Sequence, residues 1–194
     1  MYKKFSLMSI AFFVSLFANS QRVVRNLSFE DFDTNGKLIS WEFGNSNQQY
    51  TIAIDTSVSH SGNCSISISS HVKDSAERGA AGVFSILKAP NLHKKKKVRV
   101  SGYIKIDSLS DGIAVIALRL NGVKGPIGEA SSNNIKIKKS LSWTKFIAEL
   151  PLTFDVQSVT YGMHMTGLGK VWVDDFEIFV DDVLITDTIP LLDR

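Results

Sequence analysis

Short segments that alternate apolar and polar residues fill this chain, and after residue 20 no stretch holds a helical period over three turns. A period of two is the signature of a strand with one buried face. In "QQYTIAID", Tyr50, Ile52 and Ile54 share a face. "NCSISISS" alternates Cys64, Ile66 and Ile68 with serines expected outside. "KVRVSGYIKID" sends Val98, Val100, Ile104 and Ile106 inward, and Arg99, Ser101, Tyr103 and Lys105 outward. "IAVIALRL" is apolar on both faces and reads as a central strand covered on both sides. "WTKFIAEL", "SVTYGMHM" and "VWVDDFEIF" complete the set, and turn-forming clusters such as "DTNGK", "HSGN", "SLSDG", "NGVKGPIG" and "TGLGK" separate them. Many short strands with turns between them predict an all-β, antiparallel β-sandwich or jelly roll rather than a parallel α/β sheet.

The N-terminus has a different character. Lys3 and Lys4 precede an apolar run from Leu7 to Phe17, and Ala18-Asn19-Ser20 supplies small residues where a signal peptidase reads. The run is too short for the ~20 residues of a spanning helix, so residues 1–20 are expected to be a cleaved signal peptide and the chain to be secreted or periplasmic. No later segment is long and apolar enough for a membrane span. Lys3 and Lys4 also carry two of the three net positive charges, so the remainder has no global field for nucleic acid. The rest is one domain's worth of chain and long enough to bury a core without crosslinks. Its one cysteine, Cys64, has no internal disulfide partner and reads as a small buried hydrophobe.

Catalytic signatures are missing. There is no HExxH, CxxC, phosphate-binding Gly-Lys-Ser/Thr loop or G-x-S-x-G elbow, and His60, His71, His93 and His164 are scattered. In "VSHSGN" a histidine stands beside a serine, but adjacent turn residues point apart, so a loop role is expected. The run "HKKKKVRV" lacks the interleaved aromatics of a nucleic-acid platform and reads as a solvated turn leading into a strand.

Near the C-terminus, "GKVWVDDFEIFVDD" poses a problem. Strict alternation puts Trp172, Asp174, Phe176 and Ile178 on one face, which would be an ordinary buried face without its carboxylate. Such an Asp174 requires a partner: a metal, a cation or several N–H donors.

Five segments in order, "NLSFEDFDTNGKLISWEF", "YTIAIDTSVSHSGNCSISI", "VSGYIKIDSLSDGIAVIALRLNG", "SWTKFIAELPL" and "VTYGMHMTGLGKVWVDDFEIFVDD", carry a resemblance. They resemble the galactose-binding-like jelly roll of CenC-type carbohydrate-binding modules. More closely, they resemble the accessory domain preceding erythromycin-esterase-like and tail-specific-protease-like catalytic domains. The resemblance implies a domain over residues 21–182 and a C-terminal tail over 183–194, with no catalytic domain before Arg194. It further implies a structural calcium held by Glu30, Asp174 and Asp175, against the alternative that Asp174 accepts hydrogen bonds from a neighbouring loop's backbone or from an arginine. Sugar binding on the family's usual sheet face or end loops makes Arg119, His164 and Tyr103 the candidate ligand residues. Trp41, Trp143 and Trp172 match positions that fill the core. The expectation is therefore a non-catalytic module for carbohydrate or cell-surface glycan. The alternative is a scaffolding domain that packs on a protein partner; an enzyme is not expected.

Overall fold

The computed structural model describes residues 22–70, 79–88, 91–132, 140–186 and 188–190; the expected signal peptide and His71 lie outside them. Two antiparallel sheets stack face to face. One has the order β2-β5-β10-β7-β8, built from Glu42–Asn45, Ala81–Leu87, Ser158–Met165, Ala114–Gly122 and Gly125–Ser131. The other runs β3-β4-β11-β6-β9, from Thr51–Asp55, Ser65–Ser70, Leu168–Val180, Lys97–Ser110 and Leu141–Pro151, with β12 (Val183–Leu184) pairing β11. β1 (Arg22–Val24) pairs with β13 (Thr188–Pro190), so part of the expected tail is strand.

Alternation decides which side chains meet between the sheets. Val83, Ile116, Leu118 and Met163 from the five-stranded sheet face Ile66, Ile68, Val100, Ile104 and Val173 from the other, all essentially without solvent contact. The segment before β2 closes one side of this core with aromatic rings. Trp41 packs against Phe29 at 4.7 Å, Phe176 at 5.0 Å and Tyr161 at 5.5 Å between ring centroids. The Trp41 indole N–H donates to the Asn26 carbonyl at 2.7 Å, satisfying its one polar atom. Cys64 is buried, and desolvation followed by the nearby Glu30 carboxylate pushes its thiol up to about 11, which leaves it inert as a nucleophile.

β11 breaks the expected alternation. After a first shift between Lys170 and Val171 it pairs in register with β6 from Val171 to Asp174, Val173 opposite Ile104 and Asp174 opposite Tyr103, and the register shifts again before Glu177 meets Ser101. Asp175 sits in this β-bulge with a φ of +47°. One extra residue exchanges the faces. Val171 and Val173 face the core before the bulge; Phe176 and Ile178 do so after it. Trp172 and Asp174 therefore lie on the outer side of the six-stranded sheet, and Asp174 does not share a face with Phe176 and Ile178. It is nevertheless fully buried, because the loop between β3 and β4 folds down over it. Serines expected to be exposed are buried on this face too: Ser65 donates to the Val58 carbonyl of the same loop, and Ser67 to the Ala53 carbonyl of β3.

Other departures have equally local causes. Trp41 is a core residue, but Trp172 lies outside the core beneath Lys105 and Lys170, its N–H on Asp55 at 2.9 Å, and Trp143 is half-buried beside His60. β7 is covered on its outer side at the buried Val115 but not beyond it, since its other outer residues Ala117 and Arg119 border a groove. The lysine run ends against acids: Asp181 accepts from the backbone N–H groups of Lys96 and Lys97, and Asp182 pairs with the Lys97 ammonium at 2.9 Å.

Candidate functional site

The outer face of the five-stranded sheet is indented by a groove of about 810 Å³. Its floor follows from the residues that β2, β5, β10 and β7 turn outward: Gly44; Gly82 and Phe84; Thr160 and His164; Ala117 and Arg119. Gly44 pairs across the ladder with Gly82, and Gly82 in turn with His164. Because the middle of the floor is glycine and alanine, the surface sinks there, while the larger Arg119, Glu129 and His164 rise around it. Arg119 and His164 thus reach the same groove from adjacent strands, Arg119 opposite Thr160 and His164 opposite Val115.

The polar groups of the groove are held in place. Arg119 Nε donates to Glu129 Oε1 at 2.7 Å across the β7–β8 pair. Both side chains are about half exposed, so the pair contributes little to stability, but it fixes a planar donor fork beside the floor. Burial pushes the His164 imidazole below its ordinary value, which keeps it neutral, with one donor and one acceptor nitrogen. Beside them, Asn121 Nδ2 donates to Thr160 Oγ1 at 2.9 Å.

Sequence reasoning missed Phe84, the aromatic side chain on this floor. The signal was present in "AGVFSIL", where Val83, Ser85 and Leu87 alternate with Gly82, Phe84 and Ile86. Ala81 and Gly82, residue types depleted in strands, blunt that alternation at its start.

Tyr103 lies elsewhere, on the outer face of the six-stranded sheet. The His60 ring stacks on it at 3.7 Å between centroids, Lys145 stands over its ring at 5.7 Å, and Trp143 meets His60 edge-on at 5.7 Å. His60 Nδ1 is 2.6 Å from Asp175, while Ser61 Oγ donates to the same carboxylate at 2.9 Å. Ser61 is thus bonded to the acid and not to the histidine, which is not a nucleophile–base arrangement.

The three carboxylates considered for calcium surround this same β3–β4 loop. Asp174 accepts from the backbone N–H groups of His60 (2.8 Å), Ser61 (3.3 Å) and Asp175 (2.8 Å). Glu30 accepts from the N–H of Asn63 and Cys64 and from the Asn63 side-chain amide. With Asp175 bonded to His60 and Ser61, every oxygen of the three carboxylates accepts a hydrogen bond. Among the described residues, no group of three or more His, Cys, Asp or Glu side chains is gathered to hold a metal ion. As placed, these residues do not fit a calcium ion, which needs six to eight converging oxygens; they grip a loop by its N–H groups.

No protein-family model matches the chain, and neither does any curated protein. Solved structures do. The chain is similar to the CBM22-1 xylan-binding domain of Paenibacillus barcinonensis Xyn10C, with a TM-score of 0.53 and 15% identity over 80% of this chain and 92% of that one. A Stig cyclase from Fischerella sp. TAU matches with a TM-score of 0.54 and 14% identity, over 81% of this chain and 95% of the cyclase. The enzymatically active domain of tailspike protein 4 from bacteriophage CBA120 matches with a TM-score of 0.58 and 12% identity, over 82% of this chain and 21% of the tailspike. Identities this low speak to fold and not to activity. The chain has the two-sheet antiparallel jelly-roll fold of solved xylan-binding domains.

Proposed function

We propose that this is a secreted, non-catalytic binding module that holds a carbohydrate chain in the groove of its five-stranded sheet. The observation that carries the reading is the groove itself, with a largely apolar floor between Arg119, Glu129 and His164. A sugar ring offers an apolar face and a rim of hydroxyls, and a groove with an apolar base and fixed donors and acceptors complements both. A xylan-binding domain among the structures of the same fold supports the reading. A cyclase shares this fold, so the fold by itself does not exclude catalysis. Among the described groove residues there is no nucleophile paired with a base, and Arg119 and Glu129 are committed to each other.

A glycan array tests this. Wild-type protein is expected to bind a defined set of glycans, and Arg119→Ala or His164→Ala to lose that binding without loss of fold. Wild-type signal that both variants keep would move the ligand off this groove. A second reading, a scaffold for a protein partner, draws on one observation: Val123 and Phe154 are 84% and 86% exposed on loops joined by the Gln157 N–H to Asn121 carbonyl bond. A blank array with a protein captured through Val123 and Phe154 would favour it.

A further inference from the structure

We infer that Phe84 is the stacking platform of the groove, laid flat by Gly44 and Gly82, and that the chain it accepts is an uncharged glycan. This rests on the groove being the carbohydrate site.

A side chain on a strand ordinarily stands roughly perpendicular to its sheet. Phe84 instead lies along it. A Cβ placed on Gly82 would come within 2.4 Å of the Phe84 ring, and one on Gly44 within 3.2 Å. Gly44 and Gly82 are ladder partners, so the ring covers a patch of bare backbone two strands wide. The ring lines the groove and is only partly buried, which places an apolar aromatic surface where a sugar ring can stack.

The two glycines are not equivalent. A Cβ on Gly82 would also lie 2.6 Å from the Met163 carbonyl oxygen, so Gly82 is required by the β5–β10 ladder as well. A Cβ on Gly44 would meet the Phe84 ring and nothing else within 4 Å. Gly44 is therefore the position at which the platform can be tilted without disturbing the sheet.

The charge of the ligand follows from the walls. Arg119 and Glu129 are the groove's one cation and one anion among the described lining residues, and they neutralise each other at 2.7 Å. Burial holds His164 neutral. A chain of uronates would find its one cation already paired and would bring its carboxylates up to Glu129. A chain of neutral sugars would find fixed donors and acceptors and no charge to displace.

The test is titration calorimetry of the protein with xylohexaose, cellohexaose and mannohexaose as uncharged probes and hexagalacturonate as the charged one. At least one uncharged hexaose is expected to bind, and hexagalacturonate not to. Phe84→Leu, which keeps apolar bulk but loses the flat ring, should weaken that binding roughly tenfold, as a lost ring contact does. Gly44→Ala should weaken it by a smaller factor with the melting temperature unchanged. Glu129→Gln, which frees Arg119, should let hexagalacturonate bind. An uncharged hexaose that binds Phe84→Leu as tightly as wild type would overturn the platform while leaving the groove a sugar site. Hexagalacturonate binding wild type more tightly than any uncharged hexaose would overturn the charge assignment. Failure of all four probes would overturn the carbohydrate reading and the inference with it.

Discussion

Asp174 has no exposed surface, yet it is a carboxylate that the β3–β4 loop depends on. Three backbone N–H groups aim at it, and removing an acceptor from buried donors costs about 1–3 kcal/mol. Burial pushes its carboxyl up to about 6, the neighbouring Asp175 charge adds to that rise, and the N–H donors only partly oppose it. The sign follows. The folded state holds this proton more tightly than the unfolded state, so the contribution of Asp174 to stability falls as pH rises from 3.8 to about 6. Asp174→Asn is therefore expected to be less stable than wild type, by a difference that narrows across this window. Urea unfolding at several pH values checks it; a difference that stays constant would show that Asp174 does not titrate there. Metal is a separate question with its own readout. Added calcium and EDTA are expected to leave the melting temperature unchanged. A gain near 2.7 kcal/mol at a hundredfold excess over the dissociation constant would instead restore a bound ion.

At the scale of elements, the bulge in β11 sets what each face presents. Deleting Asp175 would restore strict alternation and turn Phe176, Ile178 and Val180 out of the core. The deletion is expected to abolish cooperative thermal unfolding, whereas Asp175→Asn, which tolerates a positive φ, should still melt cooperatively. A deletion variant that melts like wild type would mean that the bulge can move. This bulge is also where the sequence was least legible. Alternation in β3, β4, β6 and β10 could be read directly because apolar residues recur at every second position. In "VWVDDFEIF" both faces are apolar enough that neither register is excluded, and the extra residue leaves no mark but Asp-Asp. β8 was hidden for another reason: Gly125, Pro126 and Gly128 read as a turn, although a sheet edge tolerates proline because its N–H side need not pair. β2 and β5 carry glycines where other strands carry Val or Ile, and those same glycines form the groove. Arg119 and His164 could be named from the sequence because they stand out on apolar strands. Phe84 could not be placed beside them until β5 was known to pair with β10.

Over the whole molecule, the two sheets divide the work. The six-stranded sheet has its outer face partly closed by the β3–β4 loop, whose anchors are Glu30, Asp174 and Asp175, and Tyr103 beneath it is already stacked on His60. Among the described residues, the five-stranded sheet leaves a glycine-lined part of its outer face open. The central claim is that ligand binds there. The most direct measurement is a map of backbone amide shifts on titration with the strongest glycan from the array. Perturbations are expected at Gly44, Gly82, Phe84 and their neighbours on β5, β7 and β10, with His60, Tyr103 and Trp143 unchanged. Perturbations centred on His60, Tyr103 and Trp143, with the glycine floor silent, would contradict it and place the ligand on the opposite sheet.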